Sequence, residues 1–116
     1  MLTSYATLDW QKKIWPPGLP KDLKFSIGVK PLFEYLAWRA REHPERPAFI
    51  FYNREISYRQ WDDMSNALAQ FLLASGIKKG DRVAMLLPTF PGFGVAYMGI
   101  SKMGGVVTAC SPAFRE

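Results

Sequence analysis

The stretch that decides the fold lies near the carboxyl end and contains three segments in succession. VAMLL at residues 83–87 is followed by PGFGVAYMGI at residues 91–100 and by VVTA at residues 106–109. The outer two are short apolar runs, and a continuous apolar run is typical of a strand that is buried on both faces. The middle segment is long enough for a helix. The order strand, helix, strand predicts one βαβ unit with parallel strands and a right-handed crossover.

The ends of that middle helix carry recognisable signals. Thr89 is the candidate N-cap, because its hydroxyl can accept a hydrogen bond from the first turn, and Pro91 suits the first helical position. Gly104 and Gly105 follow the segment and predict its end.

Upstream, the pattern predicts a helix and a hairpin. Apolar side chains recur at spacings of three and four from Pro31 to about Glu42, which indicates an amphipathic helix. The run at residues 48–52 has strand length, residues 53–55 are the expected turn, and residues 56–58 are the expected returning strand. The sequence therefore predicts an α/β protein.

A second helix is predicted to begin at Ser57 or Tyr58 and to end at Gly76. Asp62 and Asp63 are expected in its first turn, where a negative charge meets the positive end of the helix dipole. An acidic pair can also bind a metal ion, and that reading is the alternative.

Residues 1–30 differ in composition from residues 31–116. They contain three prolines within five positions, which predicts an extended arm. Trp10 and Trp15 are expected to bring the arm against the body of the domain or a partner, with a peripheral membrane anchor as the alternative. We predict two parts, an arm at residues 1–30 and an α/β subdomain at residues 31–116.

Composition excludes several classes of protein. The 116 residues are 48% hydrophobic and 22% charged, which is typical of one globular domain rather than a disordered chain. The net charge is +5, of which the arm carries +3, and no binding motif accompanies it, so nucleic acid is not an expected partner. One cysteine permits no internal disulfide, and no apolar run reaches the ~18 residues of a membrane span, so we expect a cytoplasmic protein.

Two glycine-containing segments were candidates for phosphate binding. Gly92 and Gly94 do not fit the dinucleotide pattern, because the third glycine would fall at Tyr97. Lys78 and Lys79 lack the glycine spacing and the following Ser or Thr of a Walker-type loop. We interpret the glycines as positions where the helix packs closely against the sheet or a neighbouring segment.

Cys110 follows the last strand, at the end where open α/β sheets place their sites. A nucleophilic thiol needs a base, and His43 is the only histidine in the sequence. A packed small residue is therefore the favoured reading of Cys110, and no Gly-x-Ser-x-Gly elbow suggests a serine hydrolase.

Several motifs together resemble a known family. They are WPPGLP at residues 15–20, HPERPA at 43–48, Ser57-Tyr58, KGDRVAMLLP at 79–88, KMGGVV at 102–107 and Ser111-Pro112. In this order they resemble the N-terminal region of adenylate-forming acyl-CoA synthetases, the AMP-binding enzymes. The first motif is similar to the leader of long-chain fatty-acid-CoA ligases.

The resemblance implies an N-terminal fragment of the large domain of such a ligase. A complete enzyme would use ATP and magnesium to convert a fatty acid to its acyl-adenylate and would then transfer the acyl group to coenzyme A. The family's phosphate loop, adenine-binding motif, ribose-binding aspartate and C-terminal lysine are not found in the sequence. We therefore assign no catalytic, cofactor-binding or metal-binding residue, and we expect a structural fragment that is inactive alone and binds no cofactor.

Alternatives remain open at this stage. One is a non-catalytic interaction or oligomerisation module derived from the family, and another is a 4-coumarate-CoA-ligase-like or other acyl or aryl acid activator. A small enzyme that uses Cys110 is a third. The expected partner is the remainder of the ligase or a second copy, because parallel strands with few covering elements should expose apolar surface and unpaired edges.

Overall fold

The computed structural model describes residues 14–20 and 24–113, and the chain divides into the units Met1–Lys30 and Pro31–Glu116. In the first unit, the Leu19 N–H donates to the Pro16 carbonyl (3.3 Å) and the Trp15 indole donates to the Leu19 carbonyl (3.1 Å). These bonds close a turn within the segment that the sequence predicts to be extended. Trp10 lies outside the described residues.

The described part of the second unit alternates helices with two small sheets. Its elements are α1 (Leu32–Glu42), β1 (Pro47–Phe51), β2 (Arg54–Ser57), α2 (Tyr58–Ala74), β3 (Arg82–Leu86), α3 (Pro91–Lys102) and β4 (Val106–Cys110). The predicted α/β class is confirmed, and each predicted helix and strand of this unit is present within a few residues of its expected bounds.

Strands β1 and β2 form an antiparallel hairpin, but its turn is not where the sequence predicts it. Tyr52 and Asn53 form the turn, both with left-handed backbone angles (φ +47° and +59°), while Arg54 and Glu55 already pair in β2. Two residues of positive φ are the usual two-residue hairpin turn, because their twist matches that of the strands. The expected turn at residues 53–55 was wrong because tyrosine is an uncommon residue in this conformation.

Helix α2 begins with a complete capping box. The Ser57 hydroxyl accepts from the Gln60 N–H (3.3 Å), and the Gln60 side chain accepts from the Ser57 N–H (2.9 Å). The prediction of Ser57 or Tyr58 as the start is confirmed. Because the helix begins at Tyr58, Asp62 and Asp63 fall in its second turn, so their predicted placement in the first turn was wrong.

Helix α2 ends at a Schellman motif that is built around Gly76, as predicted. Gly76 has a φ of +89° and donates to the Leu73 carbonyl (3.0 Å), and Ile77 donates to the Leu72 carbonyl (3.1 Å). Ile77 packs against the apolar core. The glycine therefore both stops the helix and directs the chain back toward the core.

The predicted βαβ unit is present. Strands β3 and β4 are parallel and pair from Arg82 with Val106 to Leu86 with Cys110. Helix α3 begins with Pro91 as predicted, but its N-cap is Phe90, and no side-chain hydrogen bond caps it. The expected capping by Thr89 was wrong, because Thr89 lies one residue too early in the chain.

The core lies between α2, α3 and the β3–β4 sheet. Its buried apolar side chains are Ala69, Leu72, Met85, Ile100 and Met103. Strand β3 contributes from one face, because Met85 is 3% exposed whereas Leu86 is 65% exposed. Burial of both faces was therefore a wrong prediction for this chain, since its helices cover one face of the sheet. The expected exposed apolar surface is confirmed. Within residues 31–113 each strand also has one edge without a ladder partner.

Candidate functional site

The two candidates for nucleophilic chemistry are held by local backbone. The Cys110 thiol, at the end of β4, makes a long hydrogen bond to the Thr108 carbonyl (3.9 Å). His43 is exposed at the end of α1, where its N–H donates to the Arg39 carbonyl (2.9 Å). Within the described part of the chain, Cys110 and His43 share no hydrogen bond. The structure therefore does not assemble a nucleophile and base from them.

The LysLysGlyAsp segment, tested above for phosphate binding, is a structural turn. The Asp81 carboxylate accepts from the Lys78 N–H (2.7 Å), and Gly80 has a φ of +91°. The Gly80 N–H donates to the Gly104 carbonyl, and the Val106 N–H donates to the Asp81 carbonyl, both at 2.8 Å. This turn fixes the loop before β3 against the loop before β4, which accounts for its aspartate and glycine without a phosphate.

The glycines of α3 mark close packing, as we interpreted them. A Cβ on Gly94 would lie 2.7 Å from Phe49 Cζ in the hairpin, so the absence of a side chain admits that ring. A Cβ on Gly99 would lie 2.9 Å from Leu68 Cδ2 on α2. Both distances are far shorter than carbon atoms normally approach. The backbone of α3 is thus in direct contact with two neighbouring elements.

Asp62 takes part in a polar network between α2 and α3. The Lys102 ammonium is 2.6 Å from Asp62 Oδ1, 3.1 Å from the Asp62 carbonyl oxygen, 2.8 Å from Ser65 Oγ and 2.7 Å from Asn66 Oδ1. The Lys102 side chain is 10% exposed and that of Asp62 19%. This ion pair joins residues 40 positions apart, and the sequence analysis missed it because no local pattern relates them.

An open, mostly apolar groove lies among the hairpin, the start of α2 and the start of α3. Its volume is about 650 Å³. Phe51, Met64 and Phe90 provide exposed apolar surface, and Arg54 and Asp63 provide charge. This is the place where Asp63 is found, so the two predicted acidic residues are used separately.

One buried polar atom near the groove has no partner. The indole N–H of Trp61 is shielded from solvent and makes no hydrogen bond. The ring packs edge-on against Phe49, with ring centroids 4.6 Å apart, and lies 6.3 Å from the ring of Tyr58. An unsatisfied buried donor costs about 1–3 kcal/mol, which the aromatic packing has to offset.

The described residues do not form a cradle for the cofactors that the resemblance implies. No group of three or more His, Cys, Asp or Glu side chains in residues 14–20 and 24–113 could hold a metal ion. The groove walls are apolar, and the LysLysGlyAsp turn is used by the fold. No reaction step is therefore derived from these residues. In the same described residues, no helix is long and apolar enough to cross a membrane.

The fold identifies the class of protein to which the chain belongs. The N-terminal subdomain of Klebsiella oxytoca NpsA, solved with 3-hydroxyanthranilyl-AMSN, superimposes with a TM-score of 0.73 at 27% identity, over 76% of this chain and 23% of that one. A Mycobacterium tuberculosis fatty acyl CoA synthetase gives a TM-score of 0.66 at 31% identity, over 71% of this chain and 17% of that one. The architecture is that of the N-terminal subdomain of adenylate-forming enzymes.

Sequence similarity gives the family. The model for AMP-binding enzymes matches residues 36–116, and the chain belongs to this family. A long-chain-fatty-acid–CoA ligase of Bacillus subtilis is 31% identical over 107 residues, which are 90% of this chain and 19% of the relative. The chain spans about a fifth of the length of the curated relatives it matches.

Proposed function

We propose that the chain forms the N-terminal part of an ATP-dependent ligase for fatty acids. In this reaction the carboxylate displaces pyrophosphate from ATP to form an acyl-adenylate, and the thiol of coenzyme A then displaces AMP to form a thioester. The observation that carries the proposal is the 31% identity to a long-chain-fatty-acid–CoA ligase across 90% of the chain.

The extent of that similarity favours a fatty acid over other acids. Residues 31–116 make up only about three quarters of the sequence, so a match over 90% has to extend into the arm. The structural matches cover 71–76% of the chain, which the body alone could supply. The arm, with its WPPGLP segment, is therefore the part of the chain that argues for the fatty-acid branch.

In this proposal the 116 residues act as scaffold and bind no cofactor. Support comes from the candidates themselves: Asp62, Asp81, Gly94 and Gly99 all serve packing or turn formation. ATP, magnesium and coenzyme A would be bound by the remainder of the ligase, which would be the partner of this chain. The single cysteine supports a cytoplasmic location.

The test measures exchange of labelled pyrophosphate into ATP with a panel of straight-chain fatty acids, aryl acids and amino acids. It uses the 116-residue chain alone and the product of the complete reading frame that encodes it. We expect fatty-acid-dependent exchange by the complete product and none by the 116 residues. Exchange by the short chain that a point substitution abolishes would overturn the scaffold proposal, and a complete product inactive on the whole panel would overturn the ligase proposal.

A second candidate function is activation of an aryl acid. The TM-score of 0.73 to the NpsA subdomain, which was solved with an anthranilyl ligand, exceeds the 0.66 to the fatty acyl CoA synthetase. The same panel separates the two candidates. Exchange with benzoate or 3-hydroxyanthranilate but not with fatty acids would favour the aryl acid.

A further inference from the structure

The network between α2 and α3 is a preformed cage of oxygen atoms. All four oxygens that surround the Lys102 ammonium come from a single turn of α2, from Asp62, Ser65 and Asn66. Ser65 is fully buried, and its hydroxyl donates to the Asp62 carbonyl (2.9 Å). The Asn66 amide donates to the second Asp62 carboxylate oxygen (3.3 Å). These bonds use the donors of the turn internally and leave acceptor positions directed at one point.

The chemistry of that point suits a primary ammonium ion. An ammonium group on an alkyl stem has three N–H donors and one positive charge, and the cage presents neutral oxygens together with one carboxylate. The charge pair is short and poorly exposed, so solvent screens it less than a surface pair. Without a cation, the Asp62 carboxylate would be left largely buried and unpaired, which is strongly unfavourable.

We propose that the turn of α2 at residues 62–66 is a binding site for a primary ammonium ion, that Lys102 fills this site from the end of α3, and that its occupancy holds the two helices together. Lys102 reaches the site because Gly99, one turn earlier, lets α3 approach Leu68 of α2. The close contact brings the helices together, and the ion pair fixes their mutual position along the helix axes. The proposal does not depend on the ligase activity.

The test removes the intramolecular ammonium and supplies a free one. In Lys102→Ala the missing atoms are three carbons and a nitrogen, which n-propylammonium replaces. Thermal unfolding of the 116-residue chain is followed by circular dichroism in n-propylammonium chloride, with sodium chloride and tetramethylammonium chloride at equal ionic strength as reference salts. Lys78→Ala, a change at an exposed lysine, is the matched control variant.

In sodium chloride, Lys102→Ala should melt roughly 10–20 °C below the parent, as expected for removing one partner of a buried ion pair. n-Propylammonium should raise its midpoint by several degrees more than it raises that of the parent or of Lys78→Ala. Tetramethylammonium, which has no N–H donor, should not. Equal shifts in all three salts, or an unchanged midpoint in Lys102→Ala, would overturn the proposal.

A second pair of variants keeps the test decisive if Lys102→Ala does not fold in sodium chloride. In that case folding should recover on addition of n-propylammonium, and failure to recover counts against the site. Lys102→Met should also be destabilised, and adding Asp62→Asn to it should restore part of the loss, because the unpaired charge is then gone. If the two substitutions instead add their separate losses, the ion pair does not link the helices.

Discussion

Helices α2 and α3 lie side by side, yet they are stabilised in different ways. Helix α2 carries its own start and stop signals, the capping box at Ser57 and the Schellman glycine Gly76, and much of its surface is exposed. Helix α3 has no side-chain cap, and along its length Tyr97 is the one exposed residue. The comparison teaches that local sequence specifies the outer helix, whereas tertiary contacts hold the enclosed one.

The largest expected effect contrasts a buried residue of α3 with an exposed one of α2. Ile100 is 2% exposed and Phe71 is 65% exposed. Ile100→Ala should lower the free energy of unfolding by about 2–5 kcal/mol, because it leaves a cavity in the core. Phe71→Ala should change it by only about 0.5 kcal/mol, as at other surface positions. Urea unfolding measures both, and similar losses would contradict the division between enclosed and outer helices.

A smaller effect is expected where the helices touch. Gly99→Ala should cost about 1 kcal/mol, because overpacking against Leu68 outweighs the better helix propensity of alanine. Adding Leu68→Ala should relieve the clash, so the double variant should lose less than the sum of the single losses. A stabilised Gly99→Ala variant would show that the helices can separate at this point without cost.

The smallest effect separates the two helix starts. Ser57→Ala should cost about 1 kcal/mol, since it removes the hydroxyl that caps α2. Thr89→Ala, the matched change before α3, should alter stability by about 0.5 kcal/mol or less, because no side chain caps that helix. The comparison of urea midpoints checks this, and an equal loss in both variants would show that Thr89 caps α3 in solution.

The same contrast explains which features were predictable from sequence. The start and end of α2 follow from Ser57 and Gly76, and the parallel strands follow from the order of the apolar runs. Where the outcome depended on distant partners, the predictions were wrong or absent. The site of the hairpin turn, the uncovered face that includes Leu86, and the pairing of Asp62 with Lys102 are all of this kind. A carboxylate near a helix start has a local interpretation in sequence, and its true partner is 40 residues away.

The functional prediction divides in the same way. The motifs around Gly80 and Gly104 indicated the family, and they proved to be residues that fix two loops against each other. Such residues identify a scaffold without performing chemistry. The family was thus predictable from residues that shape the backbone, whereas the acid that a complete enzyme activates is not encoded in their packing.

The buried indole of Trp61 has a consequence for spectroscopy. Fluorescence of an indole depends on the polarity around the ring and on hydrogen bonding to its N–H. The N–H of Trp61 is unpartnered among aromatic rings, whereas that of Trp15 is bonded to a carbonyl in the first unit. Trp61 should therefore emit at shorter wavelength than Trp15, and its emission should shift to the red when the start of α2 detaches from the hairpin. The chain carries its own optical reporter of that contact.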